Sequence, residues 1–167
     1  RTFSDNHQEL ENAYVKVFAA DGQVFDEIKA DKAVYVPEAN KNFTAYLAGN
    51  VKITTRDALN VETDGVTYTR ASETAETDDS IAFERENIRG TAVGATVKMA
   101  DKKLELRQDV EIETFESAAK KSAGVKYAKL NAANAVYDQT ANSIELMGGF
   151  KAKIDSDGRT SDVSAGR

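Results

Sequence analysis

The residues of this chain whose types could do chemistry are few and widely separated. His7 is the single histidine and lies in a polar N-terminal segment, and the 167 residues contain no cysteine. Disulfides, thiolate nucleophiles and thiolate metal sites are therefore excluded, because each needs a cysteine sulfur. We interpret His7 as a solvated side chain rather than a catalytic or metal-binding group.

Carboxylates come close together at Asp78-Asp79 and at Glu84-x-Glu86, and paired carboxylates are what glycosidases use. The chain has 28 acidic residues, so such pairs are expected on solvated faces without catalysis. Asp155-x-Asp157-Gly158 resembles the start of a calcium loop but lacks the later ligands, and a turn is the better interpretation. We therefore predict no catalytic residue, no metal site and no cofactor.

Other chemistry lacks its partners as well. Gly90 and Gly94 are not followed by a helical pattern, as a phosphate-binding loop would require. Serine and threonine are frequent, but no base partner marks any of them as a nucleophile. The net charge of −6, with scattered lysine and arginine, argues against nucleic acid as a partner.

The elements that must position these residues are strands, because the hydrophobic pattern alternates with period two along most of the chain. Asp21-Gly22 between two β-prone runs predicts a hairpin, and tight polar breaks follow every 8 to 14 residues. Roughly ten strands result, in one domain over residues 1–167. We expect residues 1–12 to be flexible and residues 116–126 to form a loop or insert. The predicted strands are Tyr14 to Phe18, Gln23 to Phe25, Ile28 to Val36, Phe43 to Thr55, Leu59 to Thr69, Thr74 to Glu84, Ile88 to Met99, Leu104 to Phe115, Tyr127 to Tyr137, Ser143 to Ile154 and the tail from Arg159.

A short sequence motif, which we call the recurring phrase, is repeated within these strands. Leu47-x-x-x-Val51-x-Ile53 returns as Leu106-x-x-x-Val110-x-Ile112 and again as Leu146-x-x-x-Phe150. Each strand has one aliphatic and one charged face, so a second aliphatic sheet face must cover it. The covered layer can be a closed core or a slot for flexible chains, and the pattern does not choose between them.

The segment from Gly22 to Ile112 resembles the periplasmic domain of LptC, in the OstA-like group with LptA. The resemblance rests on the order of several pieces, among them Leu47-Ala48-Gly49-Asn50-Val51-Lys52-Ile53, Leu59 to Tyr68 and Leu104 to Ile112. Ala135 to Ile154 resembles an additional repeat of this type. Gln108 departs from the glycine of the other copies, and the insert from Glu116 to Lys126 has no counterpart.

The resemblance implies an all-β fold, an OstA-like β-jellyroll whose two antiparallel sheets form an open V. It also implies a non-enzymatic module that holds the acyl chains of lipopolysaccharide between the sheets and passes them along a bridge to the outer membrane. Burial of hydrocarbon, at roughly 0.8 kcal/mol per methylene, would supply the affinity. The residues expected to line the groove are Leu47, Val51, Ile53, Val66, Tyr68, Ile81, Phe83, Leu104, Leu106, Val110, Ile112 and Phe115.

Edge strands are the expected contact with partners, because an unprotected edge pairs readily with another chain. We place these edges at Val15 and Val17 and at Ile144 and Phe150. The resemblance implies other Lpt components as partners, self-association, and a periplasmic location with anchoring to the inner membrane through an N-terminal helix that these 167 residues do not contain. Two alternatives stay open: a structural or adhesive β-repeat protein with a closed core, and a sugar-active or sugar-binding β-sandwich.

Overall fold

The computed structural model describes residues 7–19, 22–115, 125–141, 143–156 and 159–166. Strands make up nearly all of it. They are β1 (Gln8–Phe18), β2 (Phe25–Pro37), β3 (Phe43–Thr54), β4 (Asn60–Thr69), β5 (Thr74–Arg85), β6 (Ile88–Lys98), β7 (Lys103–Phe115), β8 (Val125–Asp138), β9 (Ser143–Ser156) and β10 (Arg159–Ala165). A single 3-10 turn, Ala39–Lys41, joins β2 to β3.

All ten strands form one antiparallel sheet in which every strand pairs with its neighbours in sequence. The all-β prediction is confirmed, and most strand ends lie within two residues of the predicted positions. β1 begins at Gln8, so residues 8–12 of the segment expected to be flexible pair with β2, and residues 1–6 lie outside the described residues. The prediction of two strands between Gln23 and Val36 was wrong, because this stretch contributes one strand.

A line of irregular pairing crosses the sheet near the middle of its strands. The register shifts between Ala48 and Val51 on β3, and comparable shifts interrupt the pairing of β2 through β9. The recurring phrase lies across this line: Gly49 and Gly148 have φ of +79° and +76°, a backbone conformation that glycine adopts without strain. Bulges of this kind bend the strands that contain them, so we name this line the bend line.

The spacing of inward side chains changes from strand to strand across the bend line. On β3, β5, β7 and β9 the inward residues on either side lie four positions apart, as in Leu47 and Val51. On β2, β4, β6 and β8 they lie three apart, as in Thr63 and Val66. β5 carries a fourth copy of the phrase, Thr77-x-x-x-Ile81-x-Phe83, which a polar residue at the first position conceals in the sequence.

The sheet folds back on itself at the bend line. The first half-sheet ends at the turns of residues 38–42, 70–73, 99–102 and 139–141, and the second half-sheet ends at the turns of residues 55–59 and 86–87. A straight strand of 12 residues, the length of β5, is about 40 Å long. Even so, the guanidinium of Arg85 at the far end of β5 donates to the Tyr137 hydroxyl in the first half-sheet at 3.0 Å. The two half-sheets therefore face each other, as the two layers of the predicted jellyroll do.

Candidate functional site

The interior between the half-sheets is lined by aliphatic side chains from both of them. Eleven of the twelve predicted groove residues are buried in one hydrophobic cluster. Val51, Leu104 and Ile112 are fully inaccessible to solvent. The inward orientation predicted for those eleven residues therefore matches the structure, and their burial leaves them closed off from water.

Phe115 is the exception, and the prediction that it points inward was wrong. It is 36% exposed, and its ring packs on the outer face against Tyr127 at a centroid distance of 5.7 Å. The Arg89 guanidinium lies 4.8 Å from the Phe115 ring centroid. Val110 and Ile112 of β7 point inward, and side chains alternate between the two faces of a strand. Thr114 therefore lies on the inward face and Phe115 on the outer face.

Three aromatic rings, from β2, β3 and β4, pack together in the first half-sheet near β1. Phe43 packs between Tyr35 and Tyr68, at centroid distances of 5.0 and 5.7 Å. The Tyr68 hydroxyl is buried and has no hydrogen-bond partner among the described residues. Desolvation raises the pKa of Tyr68 to about 12, because burial disfavours the phenolate.

We expect Tyr68→Phe to change the free energy of unfolding at pH 7 by less than about 1 kcal/mol, because the lost hydroxyl makes no hydrogen bond. The raised pKa means that the native state holds the Tyr68 proton more tightly than the unfolded state does. The contribution of the protonated Tyr68 to the free energy of unfolding is thus complete below about pH 10 and is lost as the pH rises through about 12. Urea unfolding at pH 7 and pH 11 should show a smaller alkaline loss for the variant. A large loss at pH 7 would contradict this account.

Each half-sheet ends in a row of turns on the side away from the bend line, and polar contacts join the two rows. We name this line of contact the mouth. Asp26 of β2 is only 1% exposed, and it accepts hydrogen bonds from the Arg56 backbone N–H at 2.7 Å and from the guanidinium Nε at 3.2 Å. The hydrogen-bonded Asp26 carboxylate raises the pKa of Arg56. This ion pair covers one end of the interior, where Val17, opposite Asp26 in the ladder, is fully buried.

The Asp26–Arg56 pair lies within the end of the second half-sheet, because Glu27 of β2 is opposite Thr54 of β3. Two other contacts cross the mouth. The Lys102 ammonium of the first half-sheet's turns lies 4.0 Å from the Asp57 carboxylate of the second. The hydrogen-bonding pattern orients the Gln139 amide with its nitrogen toward Asp57, where it donates to both carboxylate oxygens at 2.7 and 2.9 Å. Together with Arg85 and Tyr137, these residues close the mouth between β3 and β8. Sequence reasoning identified none of them.

The interior is less well covered at its C-terminal end. Register places Leu130, Ile144, Leu146, Phe150 and Ile154 on the inward side, and all five are only partly buried. Val163 of β10 lies opposite the inward Ala152 and is 46% exposed. Inward aliphatic surface is therefore accessible to solvent beside β9 and β10, unlike the middle of the sheet.

Only some of the residues predicted to contact partners lie on strand edges that have no neighbour within the described residues. β1 is the first strand of the sheet, so Val15 and Val17 lie on an edge strand, although Val17 points into the core. β9 is an interior strand: Phe150 pairs with Ala165 of β10, so placing it at the edge was wrong. β10 pairs only with residues 150–156, which leaves Ile144 in the part of β9 that has one neighbour.

Within the described residues, no three His, Asp or Glu side chains come together in a way that could hold a metal ion. No helix among those residues is long and apolar enough to cross a membrane. The described interior thus offers aliphatic contact, and its buried carboxylate, Asp26, is already engaged by Arg56.

The family of the chain follows from a model comparison. The model of the lipopolysaccharide-assembly, LptC-related family matches residues 5–116, which correspond to β1 through β7. The chain belongs to the LptC-related family. This family takes part in lipopolysaccharide transport in the periplasm, and its members are transport components rather than enzymes. No curated protein matches the sequence. β8 to β10 lie beyond the matched span and continue the same sheet.

Proposed function

We propose that this LptC-related protein is a non-enzymatic lipid carrier that holds the acyl chains of lipopolysaccharide between its two half-sheets. The observation that carries the proposal is the interior itself. A continuous layer of aliphatic side chains runs from β1 to β9 in a sheet that does not close on itself. Acyl chains need only such a surface, since each buried methylene contributes roughly 0.8 kcal/mol.

Loading requires the mouth to open. The inner residues are inaccessible while the mouth contacts are formed, so acyl chains reach Val51 and Ile112 only when the rows of turns separate. The Asp57–Lys102 pair contributes little to holding the mouth closed, because its charged atoms are 4.0 Å apart and the Lys102 side chain is 48% exposed. Separation of the half-sheets with retention of the bend line would give the open V.

We propose that partners bind by strand addition at the two edges. β1 presents its whole length, and among the described residues Ser143 to Gly149 of β9 pairs only with β8. A strand added beside Ile144 would extend the inward aliphatic layer past the partly exposed Ile144 and Leu146. Lipid could then pass to another Lpt component, or to a second copy, without meeting water.

Photo-cross-linking tests the lipid proposal. A small diazirine amino acid replaces Val51 or Ile112 on the inward side, or Lys52 or Glu111 on the outer side, and lipopolysaccharide is then added and irradiated. We expect adducts from the inward positions and none above background from the outward ones. Adducts only from Lys52 or Glu111 would contradict the proposal and favour a closed core.

A further inference from the structure

β8 and β9 carry a cluster of three lysines, Lys129, Lys151 and Lys153, on the outer face of the sheet. On the outer face of β8 and β9, Lys129 lies directly opposite Lys153, and Asn131 lies directly opposite Lys151. Three of the four side chains in this block are therefore cationic. Like charges directly opposite each other destabilise a sheet, so stability does not explain the arrangement.

The carboxylates nearby leave most of this charge unpaired. Lys129 contacts Glu111 of β7 at 2.6 Å. Lys151 and Lys153 make no ion pair with any residue in the described part of the chain. Asp162 lies opposite Lys153 on β10 but forms no ion pair with it. Residues 125–167 have six Lys and Arg against five Asp and Glu, whereas residues 1–124 have sixteen against twenty-three.

The same side chains border open space. A hollow of about 450 Å³ borders these side chains, and one carboxylate and two apolar side chains also line it. Its lining residues are Lys129, Asn131, Lys151, Ala152, Lys153, Asp162, Val163 and Ser164. Ser164 lies opposite Lys151 on β10, so its hydroxyl belongs to the same face as the ammonium groups. Ammonium, amide and hydroxyl groups around one hollow are donors suited to phosphate oxygens.

We propose that the lysine block Lys129, Lys151 and Lys153 binds a phosphate group. The three lysines lie on the outer face, on strands beyond the span that the family model matches. The same chemistry is offered by the headgroup of an anionic phospholipid and by a soluble phosphate compound. The proposal does not depend on lipid binding between the half-sheets.

Two arms of one experiment distinguish these sources. Inorganic pyrophosphate is titrated against the protein at constant ionic strength, with thermal unfolding as the readout, because a ligand that binds the native state raises the melting temperature. In the other arm, flotation measures binding to vesicles of phosphatidylcholine with and without phosphatidylglycerol. The test variant is Lys151→Gln/Lys153→Gln. The control is Lys52→Gln/Lys98→Gln, which removes two lysines that are already paired with Glu62 and Glu105.

For the wild type and the control, we expect pyrophosphate to raise the melting temperature or phosphatidylglycerol vesicles to bind the protein in flotation. The test variant should lose most of that response. A response to pyrophosphate alone identifies a soluble phosphate, and a response to vesicles alone identifies a lipid headgroup. Without ligand, the test variant should unfold at the same or a higher temperature than the wild type, since it relieves charge repulsion. Equal responses of both variants, or no response in either arm, would overturn the proposal.

Discussion

A covalent link across the mouth is expected to weaken lipopolysaccharide binding by about tenfold or more, equivalent to at least about 1.4 kcal/mol. The link joins Asp57→Cys to Gln139→Cys through a short bifunctional thiol reagent. These side chains approach within 2.7 Å although their turns belong to opposite half-sheets. Because the inner residues are inaccessible with the mouth closed, acyl chains cannot reach them in the linked protein. The chain has no cysteine of its own, so the reagent meets only the two introduced thiols.

The matched control is Lys52→Cys with Glu62→Cys, linked in the same way. Lys52 and Glu62 also form a polar contact, at 2.7 Å, but they lie on neighbouring strands of the same half-sheet. Binding by this control should equal that of the wild type, and reduction of a cleavable link should restore binding across the mouth. Undiminished binding by the linked mouth variant would contradict the opening of the mouth.

Gly90→Ala is expected to destabilise the protein by about 3 kcal/mol, because the new methyl group overpacks the interior. That group would lie 2.3 Å from the Glu111 carbonyl oxygen and 2.6 Å from the Phe83 ring. Phe83 and Gly90 are directly opposite in the ladder. Because Gly90 has no side chain, the Phe83 ring occupies the space beside it. The midpoint of urea unfolding measures the effect.

Gly166→Ala is the control for that variant. No atom lies within 4 Å of the position of its new methyl group, and we expect no change in the unfolding midpoint. Equal midpoints for Gly90→Ala and the wild type would mean that β6 and β7 can separate to accept a methyl group. In that case the close approach of the backbone at Gly90 would not constrain the interior.

Local patterns were sufficient to predict the strands. Alternation of aliphatic and charged residues located each strand from β3 to β9, because burial of one face imposes period two on the sequence. The assignment of Phe115 to the interior departed from this alternation, and the structure follows the alternation by placing Phe115 on the outer face. The fourth copy of the phrase on β5 was missed because Thr77 is polar, although its spacing to Ile81 was readable.

Contacts between distant segments were beyond the reach of those patterns. Arg85 and Tyr137 are 52 residues apart, and nothing local to either residue indicates that they meet. Gly49 and Gly148 have positive φ at points where the pairing is irregular, and only the pairing register places such points in one line across the sheet. Phe150 was wrongly placed at an edge because the tail, which we predicted as a last strand, pairs with residues 150–156, whereas Ile144 lies outside that pairing.

The central claim is that acyl chains occupy the space between the half-sheets. Its most direct test is the photo-cross-linking yield at Ile112 compared with that at Glu111, its neighbour on β7, in the intact protein incubated with lipopolysaccharide. Ile112 is fully buried on the inner side, whereas the Glu111 carboxylate pairs with Lys129 on the outer face. Our account predicts a lipopolysaccharide adduct from Ile112 and only background from Glu111. An adduct from Glu111 with none from Ile112 would contradict it.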